Sequence, residues 1–403
     1  MEKRMIGISL LLTIALCTTS AAQETEPLKL GVLAQLSGPF QYGGEMVLEG
    51  VEYAVEEINS QGGLLGRPLE IVAADTELNA DVAVQRATEL ILDEGVKFFI
   101  MASGSHIGAA LLPVAEEHNV ILFSTLMGAD TLTGEQCSRY FFRTAPSTTM
   151  HSNALAFWIV MNGYKKVFGI AQDYSFGKAA MSAFTRKLHE LDPTVEVVGE
   201  QFHPLGAEDL RPLIKDIIAA EPELVFTPNW GADLINLVNQ AGELGLKTKF
   251  VGYYLNDPVF VGSLNNDADI IGSVGVENYM MAIPTDKNRQ FVERYYQAKG
   301  EYPSLARAKN YISVDFWAEA VTIAGTDDVD AVINAWEGLI YDGPAGKWHM
   351  RACDHQAQVP MWVGEIAKEN PFYDHAFVGE ASSIPVRFIA VPCEQTGCSG
   401  FAR

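Results

Sequence analysis

Residues 28–75 constrain the fold more than any other stretch of this chain: LKLGVLAQLSGPFQYGGEMVLEGVEYAVEEINSQGGLLGRPLEIVAAD. Leu28, Leu30, Val32, Leu33 and Ala34 make an apolar run of strand length. Leu36-Ser37-Gly38-Pro39 breaks that run into an irregular loop. Met46, Val47, Val51, Ala54, Val55 and Ile58 then recur with the period of a helix that has one apolar face. Gln61-Gly62-Gly63 ends the helix, because glycine takes the left-handed C-terminal turn without steric cost. Leu69, Ile71, Val72 and Ala73 start a second strand. Two strands joined through a helix in this way are parallel, with a right-handed crossover. The Ser/Gly loop then lies at the carboxyl end of the first strand, where open α/β sheets bind ligands.

Past residue 75 the alternation continues. Val82 to Leu92 carries a helical face, Lys97 to Met101 reads as a strand, and Ala109 to Glu117 with Val120 to Ser124 repeats the pair. A further series runs from strand Val167–Ala171 through helix Gly177–Leu191 to strand Glu196–Gly199. Helix Asp209–Ala220, strand Leu224–Thr227, helix Ala232–Leu244 and strand Phe250–Gly252 extend it. Such a pattern predicts parallel sheets covered by helices on both faces. These are too many strands for one compact sheet, so the expected fold class is α/β with two Rossmann-like lobes. A length of 403 residues, 48% of them apolar, supplies two cores.

The formal net charge of −23 argues against nucleic-acid binding, which needs clustered Lys and Arg, and against adhesion to anionic membrane. The first residues have the three parts of a secretory leader: Lys3 and Arg4, an apolar run from Met5 to Cys17, and small residues at Ser20-Ala21-Ala22. Cleavage after Ala22 is expected, giving an exported product that begins at Gln23. Leu16 stands before Cys17 where a lipid-anchor signal wants a small residue, so no anchor is expected.

Removal of residues 1–22 leaves Cys137, Cys353, Cys393 and Cys398. An even number in an oxidising compartment favours disulfides. Cys393 and Cys398 enclose a short loop eased by Gly397, so the expected pairs are Cys393–Cys398 and Cys137–Cys353. His349, Cys353, Asp354 and His355 are the competing metal ligands, but their spacing fits no common zinc pattern. No metal and no cofactor is expected.

Several segments offer binding chemistry. Gly104-Ser105-His106 follows a strand and opens a helix, where backbone N–H groups and the Ser105 hydroxyl suit a carboxylate. An ordinary serine cap is the structural alternative for Ser105, and His106 adds a donor beside it. Phe123-Ser124-Thr125-Leu126-Met127-Gly128 follows the next strand. Tyr174 and Phe176, in DYSFG, and Trp230, in NWG, either wall a cleft or pack in a core. Asp257 either pairs a cation or is a solvated turn acid before Pro258; Lys309 either reaches a cleft or is solvated. Nucleophile-elbow, zinc-protease, phosphate-loop and dinucleotide motifs are absent, so an enzyme is not expected.

LSGPF, the helix ending EEIN, the GG turn, GRPLEIV and Asp75 together resemble the opening of the bacterial amino-acid-type solute-binding proteins, typified by the leucine/isoleucine/valine-binding proteins. GPAGKWHMRACDHQ at 343–356 is similar to that family's last interlobe segment. The resemblance implies a type I periplasmic binding protein whose chain crosses a hinge three times, near Thr144–Pro146, Val276–Tyr279 and Met350–His355. The implied lobes are 23–145 plus 278–352, and 146–277 plus 353–403. In that family the serine matching Ser105 contacts the ligand, and the loop matching Ser124–Gly128 holds its α-amino and carboxyl groups. Gly128 stands where a threonine is usual. An aromatic residue matching Tyr174 or Phe176 closes over the ligand. Tyr254 falls where the acid that pairs a ligand ammonium is usual, with Asp257 nearby. With His106, Trp230 and Lys309 added from the residue reading above, the expected ligand set is Ser105, His106, Ser124, Leu126, Met127, Gly128, Tyr174, Phe176, Trp230, Tyr254, Asp257 and Lys309. The implied function is capture of a small amino acid or related carboxylate or amide by hinge closure. Delivery, as a monomer, to the permease subunits of an ABC importer would follow. A sensory binding protein feeding a membrane receptor, with an aromatic acid as a possible ligand, is the alternative.

Overall fold

β1 (Leu28–Ala34) and β2 (Leu69–Asp75) pair in parallel from Leu28 opposite Leu69 to Ala34 opposite Asp75, and α1 (Gln41–Ser60) crosses between them. Gly63 ends the α1 turn at φ +80°, where an added Cβ would lie 2.0 Å from the Arg67 carbonyl oxygen, so only glycine fits. The computed structural model describes residues 26–266 and 268–401; the expected leader lies outside the described residues.

The alternation then continues through α2 (Ala80–Glu94), β3 (Phe98–Met101), α3 (Ser105–His118), β4 (Ile121–Ser124) and β5 (Phe141–Arg143). These strands form a parallel sheet in the order β2-β1-β3-β4-β5. α4 (Thr148–Met161) follows, a helix absent from the sequence reading. It is buried around most of its first turns, from Met150 to Ala156, so it shows no single apolar face to detect.

β6 (Lys166–Gln172), α5 (Ser175–Leu191), β7 (Glu196–His203), α6 (Arg211–Ala220), β8 (Leu224–Thr227), α7 (Gly231–Glu243) and β9 (Lys249–Gly252) follow the expected order. α8 (Pro258–Gly262) and β10 (Val274–Glu277) come next. α9 (Asp286–Lys299), α10 (Leu305–Ala324) and α11 (Val329–Trp336) then return to the first sheet. Trp317 of α10 is fully buried against Phe98 and Phe123, and Trp336 of α11 stacks on Phe142. α10 also lies so close to α1 that a Cβ on Gly50 would stand 2.3 Å from the Arg307 carbonyl oxygen.

β11 (Ile340–Gly343), β12 (Gly346–Met350) and β13 (Ala357–Gln358) make a small antiparallel sheet. β14 (Met361–Ala367) and β15 (Phe377–Ile384) then complete the second sheet, ordered β15-β14-β10-β9-β8-β6-β7. Five of its strands are parallel, and β14 and β15 run antiparallel to their neighbours.

The chain after β15 docks on α4, where the Asn153 side chain donates to the Ile389 carbonyl and Phe388 stacks on Phe157. Two disulfides hold the tail beyond Ile389, and they correct the expected pairing. Cys353 joins Cys393, and Cys137 joins Cys398, with Cα separations of 6.3 and 5.6 Å. A single helical turn at Cys393–Gln395 sets Cys393 toward the 353 segment and carries Cys398 on toward Cys137. Proximity in sequence misled the expectation because the tail lies between two segments, each supplying one cysteine.

Candidate functional site

The carboxyl ends of β1, β3 and β4 face those of β6, β8, β9 and β10, so the loops that follow these strands line a common cleft. Asp75 organises the first of these loops. Its Oδ1 accepts from the backbone N–H of Leu36 and of Glu77, both at 2.8 Å. Burial opposes ionisation of this carboxyl, yet Ser37 and the backbone donors hold it below its ordinary range. The loop presents Phe40, whose ring lies 5.3 Å from that of Trp230 across the cleft.

Ser105 opens α3, is half-buried, and accepts from the Ala129 N–H at 3.2 Å, leaving its own proton for another acceptor. His106 is exposed, and its Nε2 lies 3.4 Å from the Leu78 carbonyl. Ser124 is fully buried and accepts from the Met127 N–H, which shapes the loop. Met127 packs in the core behind α3, while Leu126 is half-buried. The Gly128 carbonyl accepts from the Thr148 N–H at 2.7 Å and from its hydroxyl at 2.8 Å. A side chain at 128 would press on Thr148 Oγ1 at 3.1 Å and on Phe176 at 3.7 Å, so this chain's own Thr148 fills the space of a larger residue there.

On the opposite side Tyr174 and Phe176 are both half-buried, with rings 5.8 Å apart. The Trp230 indole donates to the Tyr174 hydroxyl at 2.9 Å. Asn229 and His203, 2.7 Å apart, anchor the Trp230 loop from beneath. Burial raises the Tyr174 hydroxyl to about 12, so it stays a neutral donor. Tyr253 lies deeper, hydrogen-bonded to Ser152 and stacked on His151. Tyr254 is half-buried, and burial, reinforced by the charge of Glu277, keeps its hydroxyl protonated.

Asp257 caps α8 through the Val259 N–H and also accepts from the Leu305 N–H at the start of α10. Lys309 is buried, and its Nζ lies 3.0 Å from Glu277 Oε2. Glu277 is wholly buried at the end of β10, and its Oε1 lies 3.0 Å from His151 Nε2. The structure therefore brings Ser105, Gly128, Tyr174, Phe176, Trp230, Tyr254 and Lys309 to one cleft region. It uses Ser124, Met127 and Asp257 to hold loops, and leaves His106 at the outer rim.

Phe40, Thr148, His151 and Glu277 were missed by the sequence reading. For Glu277 a signal existed: a carboxylate that ends the apolar strand Val274-Gly275-Val276 sits at the ligand end of a parallel sheet. His151 had none, because α4 itself went unseen. Of the metal candidates, Cys353 is in a disulfide, Asp354 pairs with Arg351, and His355 lies between Phe142 and Glu337.

Two α/β lobes with opposed strand ends lining a shared cleft define a type I periplasmic binding protein. Residues 27–371 match the family model described as periplasmic binding protein, and the chain belongs to that family. The Leu/Ile/Val-binding protein homolog 4 of Brucella melitensis is 28% identical over 365 residues, covering 87% of this chain and 86% of that one. The Brucella ovis leucine-, isoleucine-, valine-, threonine- and alanine-binding protein, in its closed conformation, superposes with a TM-score of 0.82 at 25% identity, covering 92% of this chain and 98% of that one. A Rhodopseudomonas palustris BisB5 solute-binding protein in complex with 3,4-dihydroxybenzoic acid has the same fold, with a TM-score of 0.79 at 22% identity and coverage of 89% and 96%. The family places the chain in the periplasm and in ABC transport.

Proposed function

We propose that this protein captures a small carboxylate with a flat or branched apolar body, closes around it, and delivers it to the permease subunits of an ABC importer. The observation that carries the ligand class is the pairing of Glu277 with Lys309. Its Oε2 lies 3.0 Å from the Lys309 ammonium and its Oε1 faces the His151 ring, so its single charge is already matched by Lys309 within the protein. Asp257 is spent on two backbone N–H groups. An α-amino acid would leave its ammonium without a carboxylate partner in a dry cleft, which is heavily penalised. Ser105, Tyr174 and Tyr254 instead offer neutral hydroxyl donors, and Phe40, Phe176 and Trp230 supply apolar walls. The proposed lobes are 23–145 with 278–352, and 146–277 with 353–403, the leader ending at Ala22 and the mature protein acting as a monomer.

The named Brucella relatives favour a second reading, an aliphatic amino acid whose ammonium displaces Lys309 from Glu277. A thermal-shift panel that sets each amino acid beside its deaminated analogue separates the two. Stabilisation by the acids alone, weakened by Ser105→Ala, supports the carboxylate reading. Stabilisation by Leu, Ile or Val alone overturns it.

A further inference from the structure

A second cavity lies away from the ligand cleft. In the first turns of α4, Thr148 and His151 point into the cleft, toward Gly128 and Glu277. Thr149, Met150 and Asn153 lie on the other side of the same helix, since each residue advances by about 100°. These three line a cavity of about 610 Å³, closed by the 351–356 segment, the end of α5 and the disulfide-held tail.

Its charge is unlike the rest of the molecule. Five cationic and three carboxylate side chains line it, although the chain as a whole carries −23. Arg351 is paired with Asp354, and Lys187 with Glu190. Three guanidiniums, those of Arg143, Arg186 and Arg387, then remain against Asp130 alone. Arg143 forms the floor and is 1% exposed. Its hydrogen bonds go only to neutral oxygens, those of Gln356, Ala129 and Thr133. These use three of the five N–H donors that a guanidinium carries. Burial lowers its pKa to about 10, a penalty that Asp130 and Asp354 only partly offset. Arg186 and Arg387 are exposed at the rim. Among the described residues neither has an ion-pair partner, and Arg387 rests on the Phe388 ring. Asp130 is itself taken up by the Thr149 hydroxyl and N–H. The N-terminal end of α4 adds its positive dipole to the same space.

We infer that this cavity is a binding site for a small multivalent oxyanion, held by Arg143 at its floor and by Arg186 and Arg387 at its rim, and distinct from the ligand cleft. Carboxylate and phosphate oxygens satisfy guanidinium N–H groups through the same charge-assisted bonds, so both belong to the class. Phe388 and Pro392 at the wall leave room for a short apolar portion.

The test is calorimetric titration of the full, disulfide-bonded protein with inorganic pyrophosphate and with citrate, at an ionic strength fixed by chloride. Saturable binding of one or both at one site is expected; the two arms tell a phosphate ligand from a carboxylate one. The Arg186→Gln/Arg387→Gln double variant should bind about tenfold or more weakly, as the loss of charge-assisted bonds implies. Among the described residues neither rim side chain makes a hydrogen bond, so this variant should fold with an unchanged melting temperature. Trp230→Ala, in the cleft, should leave anion binding intact. Absence of saturable binding, binding that survives the double variant, or binding abolished by Trp230→Ala would each overturn the assignment.

Discussion

Glu277, a buried carboxylate, and Asp257, a half-buried one, are pushed in opposite directions by their surroundings. Burial opposes ionisation of Glu277, but Lys309 and His151 outweigh it and pull the carboxyl down to about 2. Its stabilising effect is therefore present above the unfolded value of about 4.5 and is lost as pH falls through about 2. Burial raises Asp257 to about 6, against the backbone donors that favour its charge. That contribution runs the other way: it is complete below the unfolded value and is lost as pH rises through about 6. Between pH 4 and pH 7 the wild type should lose about 1–2 kcal/mol relative to Asp257→Asn, after discounting for the partial exposure of this residue. Denaturant unfolding of both proteins at the two pH values measures this, and a constant difference would show that the fold does not raise the Asp257 carboxyl above its unfolded value. Lys309→Met should cost about 3 kcal/mol or more, because it strands a buried charge. Lys309→Met/Glu277→Gln should recover a good part of that loss, which the same unfolding curves would show. The pairing was not legible in the sequence, where Lys309 in ARAKNY reads either as a cleft or as a solvated lysine and Glu277 shows only its place at the end of an apolar strand. Burial and pairing of a charge arise from which strand end meets which helix, and that is a long-range fact.

At the scale of elements, legibility followed periodicity. The βαβ opening, α5, α7 and the short apolar strands each carry a period of two or 3.6, or a strand-length apolar run, and each appears where the pattern puts it. α4 is buried on too many sides to show a stripe, and β14 and β15 join their sheet antiparallel, outside the βα rhythm that flagged the others. The cysteines failed for a related reason. The tail after β15 is fastened to α4 by Asn153 and Phe157, to the 353 segment by one disulfide, and to the segment after β4 by the other. Peptide mapping without reduction should recover Cys137 with Cys398 and Cys353 with Cys393; a Cys393–Cys398 peptide would contradict the structure. Cys398→Ser opens a loop of sequence separation 261. A loss of about 2–5 kcal/mol is expected. It should come with faster amide exchange confined to residues near 388–401, rather than with collapse of either sheet.

On the scale of the whole molecule, the two lobes meet through contacts at the cleft. Phe40 lies against Trp230, Lys309 of α10 pairs with Glu277 of β10, and the Asp257 side chain receives the first N–H of α10. These contacts do not act alike. Apposing the aromatic rings favours closure by burying apolar surface. Bringing Lys309 and Glu277 out of water opposes it, because desolvation offsets much of their attraction. In the proposed closure, a ligand that touches both lobes shifts this balance by its differential affinity for the closed form. A stabilising acid from the thermal-shift panel should therefore lower the radius of gyration in solution scattering as it saturates. Trp230→Ala weakens the favourable side of the balance while leaving the ion pair in place. It should raise the ligand concentration needed for half-closure by about tenfold, as truncation of a buried aromatic anchor commonly does. The end-point radius at saturation should match the wild type, since the lobes themselves are unchanged. A saturating ligand that leaves the scattering curve of the wild type unaltered would show that capture does not proceed by lobe closure. A Trp230→Ala protein with an unshifted midpoint would show that the Phe40–Trp230 contact takes no part in it.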